Sequence, residues 1–199
     1  MKPEEYLDIL AVAAKLKTTY RHCATQDQRQ ESVADHSWRL ALMAMLLREE
    51  EAFRGLDMDK VVRMCLLHDL GEAFTGDVPA FEKTEADTAE EKARCLRWVA
   101  SFPSPQGAAW ASLLEEMAAR ETGEAKLYKA LDKLEALISH NESDVGTWLS
   151  LEHELQLTYG REDTDAFPWL QELRTVVDAW SLRKTEAAKR GGEDPRQRL

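Results

Sequence analysis

Cysteine, histidine and glycine are all scarce here: the 199 residues include three cysteines, five histidines and nine glycines. Cys23, Cys65 and Cys95 are an odd number without CxxC spacing, which argues against a disulfide framework and for a reduced, cytoplasmic protein. No run approaches the roughly 18 apolar residues of a membrane span. Met1-Lys2-Pro3-Glu4-Glu5 has no apolar signal core, so neither export nor membrane insertion is expected. Positive charge is also short. The 26 Lys and Arg stand against 37 Asp and Glu, a net −11, the wrong sign for a broad grip on nucleic-acid phosphates. A small phosphorylated substrate is still allowed, because a metal and one or two arginines can supply local positive charge. No stretch alternates convincingly enough to be a strand, and no repeat is visible.

What the chain has is helical periodicity. Pro3 to about Tyr20 carries Leu7, Leu10 and Ala14 in one row, with Pro in the first turn. Its end delivers Arg21 and His22 into a polar connection. Ser32 reads as a cap, with Asp35 in the first turn and His36, Leu40, Met43 and Leu47 along one face. Asp57 or Asp59 caps the next helix, whose inward row is Val61, Cys65, His68 and Glu72. Thr84 starts a helix to about Ser101, with Ala89, Ala93, Leu96 and Ala100 inward. Gln106 to Glu121, Glu124 to His140, Val145 to Tyr159 and Pro168 to about Lys184 complete the series. The fold class is all-α, a single bundle of seven to eight helices over 1–185. Residues 186–199 end in Gly191-Gly192-Glu193-Asp194-Pro195-Arg196, have nothing to bury, and read as a disordered tail.

Polar residues intrude on these apolar faces at few places: His36, His68-Asp69 and Asp132. Each has an ordinary explanation. A lone inward histidine is more often a packed core residue than a ligand, and Asp132 could simply pair with Lys129 or Lys133. Asp77 alone could be a turn aspartate. Together, two imidazoles and two carboxylates from three helices make a mixed nitrogen and oxygen site suited to a divalent transition metal. Glu72 lies close by in sequence.

The order His…His-Asp…Asp resembles the signature of the HD-domain phosphohydrolases. The surroundings resemble more closely the small 5′-deoxynucleotidases of that superfamily, through Glu31-Ser32-Val33-Ala34-Asp35-His36-Ser37, His68-Asp69-Leu70-Gly71-Glu72, Thr75-Gly76-Asp77-Val78-Pro79, Glu124-Ala125-Lys126 and Lys129-Ala130-Leu131-Asp132-Lys133. The likeness spans roughly Met1 to Trp180 and implies an HD-domain bundle. It also implies one divalent metal, such as Mn²⁺, Co²⁺ or Zn²⁺, held by His36, His68, Asp69 and Asp132. In that family pattern Glu72, beside Asp69, orients and deprotonates the attacking water. Arg21 matches a phosphate-binding arginine, whose fork of donors suits a phosphate. Asp77 matches the contact to the sugar 3′-hydroxyl, with Val78, Pro79 and Ala80 walling the pocket. Arg29 is a second candidate for the phosphate or for a neighbouring carboxylate. His22 stands where the family often has a tryptophan that screens the sugar 2′ position.

The resemblance implies hydrolysis of (deoxy)nucleoside 5′-monophosphates by a metal-activated water. Other substrates within the same chemistry are a nucleoside triphosphate, a cyclic nucleotide or an alarmone. A non-catalytic helical regulatory domain is the alternative outside enzymology. No histidine lies between His68 and His140, which fits one metal rather than two or three; His140 and His153 are assigned no metal role. Many large aromatic side chains, and the habit of the family, imply a homodimer.

Overall fold

Ser32, Asp57 and Thr84 stand where three helices begin, and each side chain accepts a hydrogen bond from the backbone N–H three residues on, at Asp35, Lys60 and Asp87. Such caps satisfy donors that a helix start otherwise leaves bare. The computed structural model describes residues 1–190. Its elements are α1 (Pro3–Ala13), β1 (Tyr20–Ala24), β2 (Gln30–Ser32), α2 (Val33–Leu46), α3 (Met58–Leu67), α4 (Glu72–Thr75), α5 (Glu85–Val99), α6 (Gln106–Ala119), α7 (Gly123–Glu142), α8 (Glu152–Thr158), α9 (Arg161–Asp165) and α10 (Pro168–Lys189). Eight of these helices are seven residues or longer. The fold is all-α, as expected.

Several local expectations are corrected. The first helix stops at Ala13, tightens into a 3₁₀ turn over Ala14–Lys17, and gives way to a two-stranded sheet of β1 and β2. The strands leave no alternating signal in the sequence because they are five and three residues long and largely polar. Gln28 at φ 64° turns the chain between them. The inward face of α5 is Cys95 and Val99, both buried, whereas Ala89 and Ala100 are exposed. The segment Val145 to Tyr159 is a 3₁₀ turn at Val145–Thr147 and then α8, rather than one helix. Helix α10 runs to Lys189 with Arg190 as its C-cap, so 186–190 of the expected tail are ordered as a helix end; 191–199 lie outside the described residues.

The described chain forms two compact units. The first comprises Met1–His22 and Glu31–Tyr128, the second Cys23–Gln30 and the chain from Lys129. In the first, α2 packs on α3 around Val33, Leu40, Ala44, Val61, Met64 and Cys65, all fully buried. Closing off these side chains from water is the main favourable term for that unit. In the second, Leu134 and Leu170 are fully buried, and Arg174 is 1% exposed. Its guanidinium donates to the carbonyls of Gln156 and Tyr159 at 3.3 and 2.6 Å and pairs with Asp178 at 2.6 Å. An arginine can be buried there because the bare carbonyls at the end of α8 and a carboxylate use its donors.

Candidate metal centre

His36 sits in the first turn of α2, set there by the capping box between Ser32 and Asp35. His68 caps the C-terminal end of α3, and beyond it the backbone bonds shorten in span. The N–H groups of Leu70, Glu72 and Ala73 donate to carbonyls three residues back at 3.2, 3.0 and 3.3 Å. This tightened turn replaces the continuous helix expected from His68 to Glu72, and it presents Asp69 beside His68. His36 Nε2 and His68 Nε2 lie 3.1 Å apart, with Asp69 Oδ2 2.8 Å from the latter and 3.8 Å from the former. Both rings are shielded, with side-chain exposures of 0% and 4%.

His68 Nδ1 is 2.9 Å from the Cys65 carbonyl oxygen, which can only accept, so Nδ1 carries a proton and Nε2 is the nitrogen left to face a cation. That is the usual way a backbone group readies a histidine for a metal. Ligands at about 2.1 Å from a tetrahedral ion stand roughly 3.4 Å from one another, and the three separations bracket that value. The residues therefore fit a divalent cation of borderline softness.

Next to this trio, carboxylates crowd together. Oxygens of Asp69, Glu72 and Glu91 lie within 4.8 Å of one another. Glu72 is 3% exposed, and burial first, then the charges of Asp69, Asp77 and Glu91, push its carboxyl up to about 10. Burial also raises Asp77, opposed by the guanidinium of Arg21. Glu91 is raised by burial as well, against the pull of Lys83. The Lys83 ammonium lies 2.5 Å from Glu91 and 3.7 Å from Glu72. Neither Lys83 nor Glu91 figures among the sequence candidates. The available signal was the row Glu91, Cys95, Val99, an i, i+4, i+8 face whose first member is charged.

Arg21, on β1, pairs with the buried Glu31 at 3.3 Å and acts electrostatically on Asp77. His22 sets its ring edge-on to Phe81, 5.7 Å between centroids. Gly76, at φ +77°, makes the bend into Asp77-Val78-Pro79, a half-buried stretch that ends at the exposed Ala80. In the second unit, Arg29 donates to the Gln30 carbonyl at 3.2 Å. There too, Lys129 pairs with Asp132 at 2.7 Å, the ordinary partner that the sequence offered.

Proteins of related sequence exist. The human 5′-deoxynucleotidase HDDC2 is 34% identical over 131 residues, which cover 64% of this chain and 59% of that protein. Its counterpart in Dictyostelium discoideum is 31% identical over 145 residues, 69% of this chain and 76% of that one. This chain thus matches somewhat over half the length of the human relative. Among solved structures, a predicted metal-dependent phosphohydrolase from Magnetospirillum magnetotacticum superposes with a TM-score of 0.75 at 28% identity, covering 92% of this chain and 96% of that one. The HD domain family model matches residues 13–174, a span containing every proposed ligand from His36 to Asp132. With the motif, its geometry and that span in agreement, the chain belongs to the HD domain family.

Proposed function

We propose that this protein is a metal-dependent phosphomonoesterase that hydrolyses (deoxy)nucleoside 5′-monophosphates to nucleoside and phosphate. The observation that carries the reading is the convergence of His36 Nε2, His68 Nε2 and Asp69 Oδ2 beside a buried Glu72. The relatives named as 5′-deoxynucleotidases support the substrate class. Asp132 is assigned as fourth ligand on the order of the motif within 1–185, taken as one HD domain. A divalent metal held by His36, His68, Asp69 and Asp132 would supply a Lewis acid for activating water and, by offsetting the charge of Asp69, would weaken one of the causes holding a proton on Glu72.

Around it the chain's own residues divide the work. Glu72 takes the proton of the attacking water, and its burial keeps bulk water away from the transfer. Arg21 gives the phosphate its forked donors, with Glu31 holding the guanidinium in place. Asp77 accepts from the sugar hydroxyl, Val78, Pro79 and Ala80 wall the sugar, and His22 lies at the sugar edge. Arg29 is a second phosphate contact. The test is phosphate release from a panel of deoxynucleoside and nucleoside 5′-monophosphates with Mn²⁺, Co²⁺ or Zn²⁺. Turnover that disappears in Glu72→Ala is expected. Absence of turnover with every member, or full activity in Glu72→Ala, overturns the reading, and pyrophosphate among the products assigns a different nucleotide.

The same reading includes a homodimer in the cytoplasm. Trp38, Leu42, Met45 and Leu46 form an apolar stripe on one face of α2, exposed by 64, 37, 60 and 71%. Light scattering is expected to give twice the chain mass; a monomer mass removes the dimer. The cysteines, all buried thiols, support a reducing compartment.

A further inference from the structure

Asp69, Glu72, Asp77 and Glu91 all interact electrostatically with Lys83. Its ammonium contacts two of these acids directly: Glu91 Oε2 at 2.5 Å and Glu72 Oε1 at 3.7 Å. The other oxygen of Glu72, Oε2, is buried and has no hydrogen-bond partner among the described residues. One carboxylate thus has two unlike ends. Leaving a buried acceptor unsatisfied costs about 1–3 kcal/mol, so Oε2 is suited to a donor that arrives with the reaction.

We propose that Lys83, held by Glu91, is a positioning residue that turns the Glu72 carboxylate so that Oε2 meets the attacking water; the proposal rests on reading Glu72 as the general base. Two backbone features place the pair. A Cβ at Gly71 would lie 2.5 Å from Glu91 Cγ and 3.1 Å from the Glu91 carbonyl oxygen. Helix α5 therefore approaches the turn before Glu72 as closely as bare backbone permits. On the other side, the Lys83 N–H donates to the Pro79 carbonyl at 2.9 Å, tying the lysine to the segment that follows Asp77. The side chains of Lys83 and Glu91 are 24% and 14% exposed, so this is not a solvated surface pair, whose worth would be small. An ammonium at 3.7 Å orients a carboxylate mainly by charge, which predicts that arginine can substitute for it.

The experiment is steady-state kinetics on the metal-loaded full chain, with a nucleotide that the wild type turns over. Lys83→Met is expected to lower kcat about tenfold to a hundredfold, part of the 10²–10⁴ that a general base contributes. KM should stay within about twofold and metal content should be unchanged. Lys83→Arg should recover most of kcat, and in a Glu72→Gln background Lys83→Met should lower kcat no further. An unchanged kcat in Lys83→Met overturns the proposal and leaves the nucleotidase reading standing. A raised KM with intact kcat overturns it too, making Lys83 a substrate contact. If the wild type hydrolyses no nucleotide, the nucleotidase reading fails instead. The pairing is then judged by Tm: additive shifts from Lys83→Met and Glu72→Gln overturn it, and non-additive shifts uphold it.

Discussion

At the scale of single residues, Glu72 sets the most testable behaviour. In the metal-free native protein its carboxyl holds a proton up to about pH 10, whereas the unfolded chain releases it near 4.5. Between those values the native state binds the extra proton, so its stability falls as pH rises, by at most about 1.4 kcal/mol per unit. Urea titrations of metal-free protein at several pH values should show this decline, and Glu72→Gln should flatten it. A stability that climbs through this range in the wild type contradicts the buried, protonated carboxyl. His68 offers a second measure. Its Nδ1–H bond to the Cys65 carbonyl fixes the tautomer, so His68→Gln should cost metal affinity tenfold or more by isothermal titration while leaving the helical circular dichroism intact. Much at this scale is legible in the sequence, because the histidines and acids sit where apolar periodicity predicts core. Lys83 and Glu91 are not, since each resembles an ordinary surface charge until Gly71 lets α5 come near.

At the scale of elements, caps and close approaches do the positioning. Ser32 and Asp35 exchange the two bonds of a capping box at the start of α2. Ser32→Ala should therefore cost about 1 kcal/mol in chemical denaturation, with weaker metal binding because His36 lies in the same turn. Gly71→Ala forces α5 outward against the Glu91 backbone and should cost about 1–3 kcal/mol. Its kcat should drop as in Lys83→Met, since Glu91 moves with the helix; a Gly71→Ala variant of native stability and kcat contradicts the tight approach. Periodicity located these helices well and their ends less well. The residues before β1 continue a helical pattern past Ala13, but the backbone turns there because Arg21 and Cys23 face inward from a strand. The row expected on α5 failed for a similar reason: alanines satisfy several helix faces, and only packing selects Cys95 and Val99.

At the scale of the whole molecule, a metal bound at the His36, His68 and Asp69 cluster would add to stability. A ligand bound only to the native state adds about 2.7 kcal/mol at a hundred times its Kd, equivalent to several degrees of Tm for a chain of this size. Chelation with EDTA should lower Tm by that amount, Mn²⁺ or Co²⁺ should restore it, and His36→Ala should abolish the response in differential scanning fluorimetry. The sequence by itself determined the helical class and the identity of the groups able to bind a cation, because these depend on composition and on the 3.6-residue period. Only the tertiary structure decided that His36 Nε2, His68 Nε2 and Asp69 Oδ2 converge within 3.8 Å and that Lys83 and Glu91 attend Glu72. Apart from the neighbours His68 and Asp69, those contacts join residues separated along the chain, and their distances follow from helix packing and turn geometry that no local pattern encodes.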